Sequence, residues 1–108
     1  MYRTLARRKA DAAESRQAAV VALSARLHAF ARERGGRFLL YGSAARGTMR
    51  HDSDVDLLLD FPPEVEADAW RFAEDLCTAS GIESDILPLA WCTPAFAERI
   101  LPQAMVLG

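Results

Sequence analysis

Asp54 and Asp56 stand in alternate positions, ten residues after a Gly42-Ser43 pair. Val55, Leu57, Leu58 and Leu59 around them make the run strand-like. Alternate residues of a strand share a face, so the two carboxylates project together, with side-chain origins roughly 6–7 Å apart. Like charges so placed repel unless a cation compensates them. Carboxylates together with phosphate oxygens are the usual ligands of Mg2+, and Mn2+ takes the same donors. No His–Cys cluster accompanies them, which argues against zinc.

Phosphates also need donors. Gly42 lets the backbone approach closely and Ser43 adds a hydroxyl. Residues 44–47 read as one helical turn, whose first N–H groups favour an anion. Arg46 lies in that turn, where it could neutralise a phosphate or form an ion pair with a strand carboxylate; the sequence favours neither. A two-metal site wants a third carboxylate from a neighbouring strand. Asp85 is the candidate, set between apolar residues where a charge is costly without a partner. Glu83 shares its face and competes with it. Asp60 shares the face of Asp54 and Asp56 but lies at the far end of the strand and reads as a surface carboxylate. His51 and Asp52 fall in a polar loop and read as solvated.

The elements that must position these residues follow from pattern and punctuation. Residues 2–34 contain neither Gly nor Pro and are dense in strong helix formers. Val20, Leu23, Leu27 and Phe30 form one apolar stripe, so a packed helix is expected from about Ser15 to Arg34, with the first dozen residues a frayed or partner-dependent extension. Gly35-Gly36 stops it. Residues 37–41 and 55–61 read as strands, the second ended by Pro62-Pro63. A helix follows from Pro63, with acids in its first turn and Gly81 at its end. Residues 82–89 read as a third strand. Thr93-Pro94 caps a short helix to about Leu101, and residues 104–107 read as a last short strand. The order describes a small sheet with helices packed on it.

The chain has 108 residues, the size of one domain, with a net charge of −2. That charge is unevenly spread. Residues 1–50 hold eleven Arg and Lys against three acids, and residues 51–108 hold two Arg against twelve acids. Such asymmetry marks either contact with a charged partner or a solvated helix face beside an acidic metal site. Cys77 and Cys92 are too few for a zinc site, and Cys77 falls on an apolar helix face, which makes it a buried thiol. No apolar run approaches the ~20 residues of a membrane span, and no signal peptide is visible. The expected location is the cytoplasm.

Gly42-Ser43, ten residues, then Asp54-Val55-Asp56 resembles the signature of the DNA polymerase β-like nucleotidyltransferases. The longer pattern, from Gly42-Ser43 through Arg46-Gly47 to Ser53-Asp54-Val55-Asp56-Leu57-Leu58, resembles its smallest branch, the minimal nucleotidyltransferase (MNT) domain. The resemblance covers residues 15–108 as one nucleotidyltransferase domain and leaves residues 1–14 as an N-terminal helical extension. It implies an α+β fold, a small mixed β-sheet flanked by α-helices. It implies that Gly42, Ser43 and Arg46 hold a triphosphate, and that Asp54, Asp56 and Asp85 ligate Mg2+ or Mn2+ and carry the catalysis. ATP is the implied substrate.

Members of that branch commonly pair with a helical HEPN protein as toxin and antitoxin. The resemblance therefore implies a HEPN-type toxin as partner, with AMP transferred from ATP to one of its tyrosines. Two other readings stand beside it. One is a non-catalytic antitoxin that masks its toxin by binding. The other is a nucleic-acid-modifying enzyme using the Arg-rich first helix, against which stands the lack of aromatic residues interleaved in that basic stretch beyond Tyr2.

Overall fold

The computed structural model is described over residues 4–108. Helix α1 runs from Leu5 to Arg34, beginning ten residues earlier than the apolar stripe predicts. The Thr4 hydroxyl caps it by accepting the Arg7 N–H at 3.1 Å. With that cap and no Gly or Pro to interrupt it, the helix propagates well beyond its packed part. Its buried positions are Val20, Leu23, Leu27 and Ala31, and none of the described residues before Val20 is buried. Phe30 sits at the margin of the core, stacked on Phe72 with ring centroids 4.4 Å apart. Gly35 ends the helix in the left-handed conformation, at φ 72°, as glycine does most readily.

Strand β1 (Arg37–Tyr41) follows, then the single helical turn α2 (Gly42–Arg46), strand β2 (Val55–Asp60) and helix α3 (Pro63–Ala79). Strand β3 (Ser84–Pro88) is shorter than the expected 82–89. The turn Leu89–Trp91, helix α4 (Pro94–Ile100), the turn Leu101–Gln103 and strand β4 (Met105–Leu107) complete the chain. The sheet order is β3-β2-β1-β4. Strand β1 is antiparallel to β2 and β4, whereas β2 and β3 are parallel and joined through α3. This is the mixed sheet with helices that the sequence leads one to expect.

Helices α1 and α3 cover one face of the sheet. Phe38 and Leu40 of β1, Val55, Leu57 and Leu59 of β2 and Ile86 of β3 meet the α1 residues and Ala69, Ala73, Leu76 and Cys77 of α3. Burying a side chain such as Leu57 is worth roughly 1.5–3 kcal/mol. The other face carries a second layer: Leu39 and Leu58 are register partners and both fully buried. The turn Leu89–Trp91 packs against β2, and Phe96 of α4 meets Tyr41 edge-on at 6.1 Å. Asp60 at the far end of β2 pairs with Arg37 at 2.7 Å. Among the described residues no helix is long and apolar enough to cross a membrane.

Candidate active site

Strand alternation places Asp56 on the face opposite the main core, and pairing fixes its neighbours. Asp56 is the register partner of Tyr41 on β1 and of Asp85 on β3. Tyr41, Asp56 and Asp85 therefore form one row across three strands. Asp54 lies two residues before Asp56, just ahead of the strand, and is exposed. Asp85 is exposed as well, while Asp56 and Tyr41 are half-buried. Glu83 precedes β3; its carbonyl accepts the Val55 N–H at 2.9 Å, and its side chain is exposed.

The electrostatics follow from that row. Burial pushes the Asp56 carboxyl above the usual carboxylate range, the charges of Asp85 and Asp54 raise it further, and Arg46 opposes them. Tyr41 is pushed up to about 12, first by burial and then by Asp56, Asp85 and Cys92. Asp54 and Asp85 thus both bear on Asp56. Even so, among the described residues no three His, Cys, Asp or Glu side chains are drawn together into a ready metal-binding group. Asp56 and Asp85 stand side by side in register, and Asp54 sits at the entrance of β2, near enough for its charge to act on Asp56.

The donor set nevertheless fits a hard divalent cation. Every candidate ligand is a carboxylate oxygen, and the mutual repulsion is of the kind a cation relieves. Gly42 presses against the same group: it holds φ 72°, and a Cβ there would collide with Oδ2 of Asp56. The chain turns so tightly at this point that only glycine fits between the β1 end and the β2 carboxylate. Ser43 is half-buried in α2, with its carbonyl accepting the Thr48 N–H at 3.0 Å. Arg46 is exposed and forms no ion pair among the described residues, so the structural ion pair weighed for it does not form.

Three residues of this region were not singled out by sequence reasoning. Tyr41 read only as the end of a strand, although it stands immediately before the glycine turn. Arg16 counted only among the basic residues of the first half of the chain, and Gln17 carried no reading of its own. In the fold, Gln17 donates through Nε2 to the Ala44 carbonyl at 3.2 Å and accepts the Met49 N–H through Oε1 at 3.4 Å. Arg16 donates through Nη1 to the Ser53 carbonyl at 3.0 Å. The Ser53 hydroxyl in turn accepts the Arg50 N–H at 2.7 Å. A lone amide side chain in the alanine-rich run before Val20 was the available signal.

Asp52 is exposed, whereas His51 is half-buried and lines a cleft of about 240 Å3 with Arg16, Ser80 and Ile82. None of the three acids lines that cleft. It is smaller than the pockets that usually enclose a cofactor, and the acid row instead lies at the strand ends outside it.

Residues 26–102 match the family model described as "Nucleotidyltransferase domain". A solved structure described as "putative minimal nucleotidyltransferase" is 31% identical, with a TM-score of 0.51, over 85% of this chain and 89% of its own. No curated protein matches the chain.

Proposed function

We propose, for a chain that belongs to the nucleotidyltransferase domain family, that the row of acids acts on ATP and a hydroxyl acceptor. The observation that carries this reading is the pairing of Asp56 with Asp85 beside the Gly42 turn. The turn and Arg46 would hold the triphosphate. Asp54, Asp56 and Asp85 would hold Mg2+ or Mn2+, which supplies charge neutralisation for the phosphates. Asp85, the more exposed of the register pair, would take the proton of the attacking hydroxyl. The new bond joins the acceptor oxygen to the α-phosphorus, the bond to the β-phosphate oxygen breaks, and pyrophosphate leaves.

The acceptor we favour is a tyrosine hydroxyl of a HEPN-type toxin, with this chain as antitoxin. Its support is the resemblance of the Gly42–Asp56 pattern to the MNT branch. A second reading, masking of the partner by binding alone, draws on the exposed, basic first half of α1, with Arg7, Arg8 and Lys9 facing solvent. One experiment separates them. Wild type and the Asp54→Asn, Asp56→Asn double variant are incubated with partner, ATP and Mg2+. The partner's mass should grow by AMP additions with wild type and stay unchanged with the variant, which still binds. A variant that neutralises the toxin fully while transferring nothing leaves masking as the account.

A further inference from the structure

We infer that Gln17 is a positioning residue of the site, an amide clamp that sets where the segment between the phosphate-binding turn and Asp54 lies. The inference rests on reading that site as one for a triphosphate. The geometry supports it independently of any activity. Gln17 uses both ends of its side chain, one on the Ala44 carbonyl within α2 and the other on the Met49 N–H beyond it. One turn of α2 and the start of the following loop are thereby tied to the same point of α1. Arg16, the adjacent residue, ties down the Ser53 carbonyl, immediately before Asp54. Two consecutive α1 residues thus anchor the 44–53 segment at three places.

That segment needs an external anchor. It leaves α2 at Gly47, contains no strand or helix until Val55, and joins the two groups whose spacing the chemistry requires. Inside it, residues 50 and 53 close a small turn on each other. Met49 is buried, and its N–H is satisfied by Gln17. Carboxylates that repel one another do not hold such a loop inward by themselves. A clamp on the opposite side of the loop supplies the position that their mutual charge opposes.

The test compares Gln17→Met with Gln17→Glu in the full chain. Methionine keeps helix propensity and approximate volume but loses both hydrogen bonds. Glutamate keeps an acceptor for Met49 and loses the donor to Ala44. Hydrogen exchange should rise in residues 44–54 of Gln17→Met and stay unchanged in β1 and β2. The dissociation constant for Mg-ATP should rise roughly 5- to 30-fold in Gln17→Met, in proportion to one or two lost hydrogen bonds. Gln17→Glu, which sets a carboxylate against the Ala44 carbonyl, should also raise exchange at 44–54 and weaken binding. A role in bulk stability alone would raise exchange across the sheet instead. Unchanged exchange at 44–54, or Mg-ATP binding by Gln17→Met equal to that of wild type, overturns the clamp. If wild type binds no triphosphate, the reading of the site fails by that measurement, and exchange alone decides the clamp.

Discussion

Tyr41 and Asp56 stand directly opposite each other across the antiparallel pairing of β1 with β2, and Asp85 is next in line on β3. The phenol ring also meets the ring of Phe96 edge-on. A phenolate at this position would face two carboxylates, so the hydroxyl keeps its proton throughout the physiological range. The row therefore combines two carboxylates with a neutral proton-bearing group.

Tyr41 should titrate near 12 rather than 10.0. Because its folded-state pKa is raised, the folded protein holds this proton more tightly than the unfolded chain. Stability linked to Tyr41 is fully present below the unfolded value of 10.0 and is lost as pH rises toward about 12. Phenolate absorbance, read as wild type minus Tyr41→Phe, should show the late transition. A difference spectrum that is complete near pH 10 contradicts it.

Asp56 has the same sign at the acid end. Its folded pKa lies above the unfolded carboxylate value, so its contribution is present below that value and declines as pH rises through the folded pKa. Asp56→Asn should remove this slope and leave the protein at least as stable as wild type at neutral pH. Urea unfolding of both proteins at acid and neutral pH checks the point; a variant less stable at pH 7 and equal at low pH would reverse the sign. The same substitution should abolish Mg2+-dependent binding of ATP.

Gly42→Ala should be costly for its size. A left-handed alanine costs about 1–2 kcal/mol, and here its Cβ must also displace Asp56. The urea midpoint should fall and ATP binding should weaken together. Wild-type binding by a stable Gly42→Ala protein would show that the turn has room to spare.

Asp85→Asn and Glu83→Gln should part ways. Only Asp85 is in register with Asp56, so its amide variant should lose transfer while Glu83→Gln keeps it. Calorimetry of ATP binding with Mg2+ and then with EDTA extends the test to the metal. Affinity should drop steeply in EDTA, and equal affinities in the two buffers argue against a cation at the acids.

The acid row was legible because strand periodicity is local. Asp54, Val55 and Asp56 declare alternation within three residues, and Asp85 declares itself as a charge in an apolar run. That the extension ahead of the packed part forms one continuous helix from Leu5 was less so, because the apolar stripe marks only where a helix is packed, while Thr4 and an uninterrupted run of helix formers decide where it begins. Tyr41 and Gln17 were missed for a different reason. Their roles depend on which residues lie across a strand pair or beneath a helix, and those neighbours are distant in sequence.

The sheet order also carries a history. Within the sheet of the described residues strand β4 pairs with β1 alone, and Phe38 meets Leu107 across 69 positions of chain. By contrast, β1 and β2 are neighbours in sequence, and β3 follows β2 after one helix. Distant pairings must first close a long loop, so they lag behind nearby ones. During folding the acid row on β1, β2 and β3 can therefore assemble while the β1 edge is still bare. Pulse-labelling exchange should find the Tyr41–Asp56 region protected before Met105–Leu107, so that the outermost strand seals a site already laid down.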